Sequence, residues 1–188
     1  MSPLIPVTTS RIGEHLPLLD LLPDGEQFTW VRGGEGLVGW GVHAATTVSG
    51  RDRFEDARKR CHQQLETFSI SNSVHGSGTG PVLFTSFSFD RNQESVLVIP
   101  KVIVGQKGSN SWITWIGSDA QPQLAETVAA LAPSTFTFSD GTLSADEWKK
   151  RVTEVINRVN TNGVDKVVLA RDIVANSDSE IDARPILK

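Results

Sequence analysis

The middle of the chain constrains the fold most, because three strand-like runs follow one another with only short polar turns between them. The runs are VLFTSFSFD (82–90), SVLVIPKVIVG (95–105) and SWITWIGS (111–118). Segments rich in β-branched and aromatic residues, bounded by turn residues, are typical of strands. Turns this short join antiparallel neighbours. We therefore predict an antiparallel meander, in which Pro100 marks an edge or a bulge.

A hairpin is predicted ahead of the meander. The segment QFTWVRGGEGLVGWGVHAATTV (27–48) has two strand-like halves around a glycine-rich turn. The residues before it are predicted to be loosely structured. The core candidates of the hairpin are its large apolar residues: Phe28, Trp30, Leu37, Val38 and Trp40.

Two amphipathic helices are predicted from apolar residues at helical spacing. The first begins after Ser49, and the second begins at Ser144, which forms a capping box with Glu147. The second ends near NTNG (160–163), where Asn and Gly stop a helix. Shorter helical pieces are predicted at 124–132 and from about Asp182. The apolar stripes are Phe54, Ala57, Cys61, Leu65 and Phe68 in the first helix, and Trp148, Val152, Val155, Ile156 and Val159 in the second.

These elements predict an α+β fold with a largely antiparallel sheet and packed helices. We expect residues 1–143 to form a β-rich subdomain and residues 144–188 to begin a second region. The 38% hydrophobic and 21% charged residues predict a packed core. We expect the last helix, with Ile186 and Leu187, to need a partner surface, so the polypeptide is predicted to be the front part of a longer protein.

Composition narrows the range of partners. A net charge of -4 gives no basic field for nucleic acid or an anionic membrane, and a small-molecule ligand is favoured. The N-terminus lacks the pattern of a signal peptide, and no run of 18 apolar residues occurs, so a cytoplasmic location is expected. One cysteine and four scattered histidines predict no metal site.

The segment NSVHGSGTGP (72–81) is predicted to be an exposed loop, because it is too rich in Gly and Ser for regular structure. Its GSGTG resembles a phosphate-binding loop. No strand leads into it and no helix follows it, so a plain flexible loop is favoured.

The segment DKVVLARD (165–172) raises the main functional question. It is predicted to be a strand, on which Lys166, Val168, Ala170 and Asp172 share one face. A lysine beside a turn is most often a solvated charge. A lysine can act as a base only where its cation is disfavoured, and burial on a small apolar face would do this. Arg171 is expected to pair with a carboxylate or with carbonyls.

The helix, turn and KVVLAR strand together resemble the chorismate-utilising enzymes, and more narrowly the isochorismate synthases of menaquinone and siderophore biosynthesis. FTWVRGGEGLVGWG, GPVLFTSFSFD and VLVIPKVIV resemble further family motifs, in the family's order. One departure is the pair Thr85 and Ser86, where the family carries two glycines. The resemblance covers most of residues 28–175.

The resemblance implies a function for Lys166. It would be the general base that activates water to attack a ring carbon of chorismate, while a later glutamate protonates the departing hydroxyl. It also implies a magnesium ion, with ligands beyond residue 188. Relatives that use ammonia carry glutamine at this position, so the lysine favours water. Salicylate synthase and a non-catalytic scaffold or binding module remain alternatives, and the 188-residue chain alone is expected to be inactive.

Overall fold

The structure is a computed structural model that describes residues 3–13, 16–124, 135–162 and 166–187. The chain divides into two compact units, Met1–Ala129 and Ala130–Lys188, here called the first and second units. Each unit is described by itself. The predicted boundary at residues 143 and 144 stays a prediction.

The first unit is built on a seven-stranded sheet. Its main path has the strand order β2-β3-β6-β7-β1-β4, and β5 pairs with β6 beside β7. All pairings are antiparallel except that of β1 with β4. The strands are β1 (Ile5–Arg11), β2 (Gln27–Arg32), β3 (Glu35–Val48), β4 (Phe68–Asn72), β5 (Phe84–Ser86), β6 (Ser95–Lys107) and β7 (Asn110–Ile116).

Strand β6 lies at the centre because its sequence is apolar on both faces, as expected for a strand covered on both sides. Ile103 and Val104 are both 0% exposed. The antiparallel meander of β5, β6 and β7 is confirmed, as is the hairpin of β2 and β3. The mixed architecture confirms the predicted α+β class.

Pro100 lies fully buried within the central strand, so the predicted edge position is wrong and the predicted bulge is correct. It pairs with Val42, and the β3 register shifts between Val42 and Ala44. Since proline cannot donate to the ladder, it fits where the pairing is already irregular.

Two further expectations for the first unit are wrong. Ile5–Arg11 is not loosely structured but forms β1 between β7 and β4. Its short run contains a proline and three hydroxyl residues, so the sequence pattern is weak. Trp30 is not a core residue, because its side chain is 76% exposed on strand β2. Val38, by contrast, is 0% exposed.

The first predicted helix is confirmed as α1 (Arg53–Leu65), which packs against the sheet through Ala57. It is shorter than predicted, since Phe68 already begins β4. Asp52 precedes the helix without a side-chain capping bond. A short 3₁₀ helix (Leu18–Leu21) covers part of the core with Leu18 and Leu22.

The second unit contains the strand β8 (Phe136–Asp140), the helix α2 (Ala145–Asn162) and the strand β9 (Ile173–Ser177). The two strands form an antiparallel pair in which Asp140 is opposite Ile173. The predicted helical piece at 124–132 falls almost entirely outside the described residues.

Two predicted elements of the second unit are corrected. The strand predicted from residue 165 begins at Ile173, because residues 166–172 have no strand partner among the described residues and β8 is only five residues long. A helix does not begin at Asp182. The chain there forms a turn in which the backbone N–H groups of Ile186 and Leu187 donate to the Ala183 carbonyl.

Candidate functional site

The helix that borders the candidate site is fixed at its start by the predicted capping box. The Ser144 backbone N–H donates to Glu147 Oε2 at 3.0 Å, and the Glu147 N–H donates to Ser144 Oγ at 3.3 Å. The Ser144 hydroxyl also donates to Glu147 Oε2 at 2.7 Å. These bonds hold the pKa of Glu147 below its ordinary value, with the Ser144 hydroxyl as the largest cause.

An apolar groove of about 480 Å³ lies along α2. It combines the predicted helix stripe with the segment that carries Lys166. The Trp148 side chain is half-buried, and its Nε1 atom is buried without a hydrogen-bond partner among the described residues. The lining residues are Trp148, Val152, Val155, Ile156, Val159, Asn160, Lys166, Val167 and Leu169.

Lys166 lies at this groove but is not buried. Its side chain is exposed, and it makes no hydrogen bond or ion pair with any residue that the structure describes. The expected burial of Lys166 on a strand face is therefore wrong for this chain. Residues 166–172 do not pair with a neighbouring described strand, so they do not form a strand with a buried face and an exposed face. Val168 is 80% exposed, which shows the same lack of cover.

Arg171 fixes the end of the lysine segment, and its expected structural role is confirmed. Its Nε donates to the Leu143 carbonyl at 3.1 Å, and its Nη2 forms a short ion pair with Asp140. Planar guanidinium groups favour such multiple contacts. The arginine thereby ties the segment to the loop between β8 and α2.

Asp172 adds a second tie to the same loop. Its carboxylate accepts the Thr142 backbone N–H at 2.9 Å and the Thr142 hydroxyl at 3.1 Å. The backbone bond is the first cause that lowers the pKa of Asp172. Asp172 is therefore a second anchor of the lysine segment, whereas Asp165 lies outside the described residues.

The partners of these two residues lie in the segment SDGT (139–142), and no sequence motif links that segment to DKVVLARD. Its Ser, Asp and Gly residues are typical of turns, which predicts a turn but not its partner. Only the pairing of β8 with β9 brings Asp140 and Thr142 beside Arg171 and Asp172, 30 or 31 residues later in the chain.

The described residues do not form a metal centre. Among the described residues, no group of three or more His, Cys, Asp or Glu side chains could hold a metal ion. The groove beside Lys166 is lined by apolar side chains and Asn160, without a carboxyl group. The described part of the chain therefore does not fit the magnesium ion that the resemblance implies.

Two observations concern other residues. Cys61 is half-buried on α1. None of the described helices is both long and apolar enough to cross a membrane.

Comparisons with known proteins agree with the resemblance. The family described as "Chorismate binding enzyme" matches residues 16–188. The chain is 25% identical over 182 residues to isochorismate synthase MenF of Bacillus subtilis (strain 168). This match covers 81% of the chain and 39% of the relative, so the chain spans well under half of the relative's length. No solved structure matches.

Proposed function

The chain belongs to the family of chorismate-binding enzymes, and on this premise we propose that it supplies Lys166 as the general base of an isochorismate synthase. The observation that carries the proposal is that the family match extends through KVVLAR, with lysine rather than glutamine at residue 166. The similarity to a protein named isochorismate synthase supports the same choice.

The proposed reaction is an isomerisation of chorismate. The Lys166 amine takes a proton from water, the water oxygen bonds to a ring carbon, and the ring double bonds shift from that carbon towards the carbon that carries the hydroxyl. The carbon–oxygen bond of this hydroxyl breaks, and the group takes a proton from an acid and is released as water. One water is consumed and one is released, so the composition of the substrate is unchanged.

The described residues supply only part of this chemistry. Lys166 is accessible at the groove, and Arg171 and Asp172 anchor the segment that carries it. The groove lining contains no acid that could protonate the departing hydroxyl. We therefore propose that the 188-residue chain by itself does not turn over chorismate. Magnesium dependence belongs to the proposal and rests on the resemblance alone.

The test uses the polypeptide encoded by the complete reading frame that contains these residues, beside the 188-residue chain. Both are assayed with chorismate and magnesium, and the products are separated. We expect isochorismate without pyruvate from the complete polypeptide. Formation of salicylate and pyruvate would instead identify a salicylate synthase, and a lack of turnover by both polypeptides would contradict the enzyme proposal.

The role of Lys166 is tested by substitution in the complete polypeptide. Lys166→Gln removes the amine and should lower kcat/KM by roughly 10²–10⁴-fold, the usual contribution of a general base. Lys150→Gln, at an exposed lysine on α2, makes the same change of charge and is the matched control. Normal turnover by Lys166→Gln would remove the assignment.

A further inference from the structure

A cleft in the first unit combines an exposed indole, that of Trp30, with two cationic side chains, those of Arg32 and Lys107. It has a volume of about 410 Å³, within the range of small-molecule pockets. Its lining residues come from β2, β3, β6, β7 and the glycine-rich loop, which is the part of the segment NSVHGSGTGP (72–81) that contains Ser77 and Gly78. None of them belongs to the unit that contains Lys166. The family assignment gives this cleft no function.

The floor of the cleft follows from the register of four neighbouring strands. Trp30 is opposite Leu37, Leu37 is opposite Gly105, and Gly105 is opposite Trp112. The Trp112 ring lies over Gly105, where a Cβ atom would come within 2.3 Å of the ring. The glycine thus lets the indole lie flat across the sheet, and Trp112 is only 4% exposed.

Trp30 forms the open side of the cleft. Its indole is 76% exposed. Tryptophan is highly buried on average, so an indole this exposed at the side of a cleft has a face available to a ligand. Exposed indole faces favour planar ligands, since stacking adds to the burial of apolar area.

The glycine-rich loop forms the opposite lip. The Trp112 indole Nε1 donates to the Gly78 carbonyl at 3.0 Å. Gly78 has φ of +85° and approaches Leu37 and Trp112 so closely that a Cβ atom would lie 3.3 and 3.4 Å from them. The Thr79 hydroxyl donates to the Gly76 carbonyl at 2.9 Å. These hydrogen bonds and contacts therefore give the loop a defined conformation at the cleft.

Two cationic side chains lie at the rim of the cleft. Each follows, two positions later and on the same face of its strand, one of the aligned floor residues. Arg32 follows Trp30 on β2, and Lys107 follows Gly105 on β6. Neither forms an ion pair with a residue that the structure describes. Glu35 also lines the rim, where one of its oxygens accepts the Gly108 backbone N–H at 2.9 Å. The rim keeps a net positive charge of one.

From this combination we propose that the cleft binds a small planar aromatic carboxylate. The ring lies against the exposed indole of Trp30, over the floor formed by Leu37 and the accessible edge of Trp112. The carboxylate is bound by Arg32 and Lys107, since a guanidinium matches the two oxygens of a carboxylate. A neutral aromatic compound would lack the second contact, and a non-aromatic carboxylate would lack the first.

The test measures binding of 2-naphthoate to the 188-residue chain by calorimetry. 2-Naphthamide is the neutral analogue, and cyclohexanecarboxylate is the non-aromatic anion. We expect 2-naphthoate to bind at least about tenfold more tightly than either, a difference of about 1.4 kcal/mol. No binding of 2-naphthoate at millimolar concentration, or equal binding of the amide, would overturn the proposal.

Substitutions locate the ligand. Trp30→Ala should weaken binding roughly tenfold through loss of stacking, and Arg32→Gln and Lys107→Gln should weaken it by roughly three- to tenfold each. Phe89→Ala removes another exposed aromatic ring. Lys101→Gln makes the same charge change on the same face of β6, six residues or about 20 Å from Lys107. Both controls should bind normally, and equal affinities in all five variants would contradict the site.

A second readout does not depend on any substitution. In the unmodified chain, the indole N–H signals of Trp30 and Trp112 should shift on titration with 2-naphthoate, and those of Trp148 should not. Lys166→Ala should leave the affinity unchanged. Loss of binding in Lys166→Ala would place the ligand at the proposed catalytic lysine and overturn the assignment to this cleft, whatever the outcome of the turnover assay.

Discussion

The two units differ in how much of their apolar surface they cover. Every buried apolar side chain among the described residues lies in the first unit, from Val7 to Ile116. Among the described residues of the second unit, only Arg184 is buried, while Phe138, Val168 and Ile173 are 71%, 80% and 59% exposed. Both units contain well-formed strands and helices. Local sequence signals therefore suffice to form elements, but a core requires elements on both sides of an apolar face.

The largest expected effect is the difference in the free energy of unfolding between two isoleucine-to-alanine substitutions, one in each unit. Ile113→Ala empties a position that is 0% exposed in β7 and should lower the free energy of unfolding by roughly 2–5 kcal/mol. Ile173→Ala in β9 removes the same atoms from an exposed side chain and should change it by less than about 0.5 kcal/mol. Denaturant unfolding followed by tryptophan fluorescence measures both. Equal losses would show that the second unit is as well covered as the first.

An effect of intermediate size is expected for helix α2, because its start is fixed by the capping box of Ser144 and Glu147. Ser144→Ala removes the capping hydroxyl of α2 and should cost about 1 kcal/mol of helix stability. Hydrogen exchange should then speed up in the first turns of α2 and stay unchanged in β6. Ser109→Ala, at an exposed serine outside any capping contact that the structure describes, serves as the control. Faster exchange throughout the first unit would show that the effect is not the local loss of the α2 cap.

The smallest expected effect is a pH dependence confined to the first unit. Burial, and secondly the charge of Lys101, hold the pKa of His43 below its ordinary value of 6.5. The unfolded chain therefore binds the proton more readily than the folded chain. The contribution of His43 is fully present above pH 6.5 and is lost as the pH falls through that value towards the folded pKa.

This dependence is measured by titrating the imidazole signals in the folded chain and by comparing unfolding at pH 7 and pH 5. His43→Gln should flatten the change in stability between these two values. His62→Gln, on the exposed face of α1, should leave it as in the unmodified chain. An imidazole signal of His43 that titrates at or above pH 6.5 would show that the ring is not desolvated.

Much of the fold was predictable because its signals are local. The capping box of Ser144 and Glu147, the turn at Gly33-Gly34 and the β-branched and aromatic runs of β6 and β7 are each formed by residues close in sequence. Strand β1 was missed because its burial depends on β4 and β7, which lie 60 or more residues away. Trp30 was misassigned because periodicity identifies an apolar residue but not whether a neighbour covers it.

The sequence by itself indicated the family, the meander, the hairpin, the two helices and the position of the candidate base, since motifs and periodicity are properties of short segments. Only the tertiary structure decided what surrounds them. It brought Arg171 and Asp172 to the loop at 140–143, and it aligned Trp30, Gly105 and Trp112 in one row. It also left Lys166 exposed at its groove. These outcomes depend on which distant strands pair, and pairing is settled by the free energy of burying whole faces rather than by any one residue.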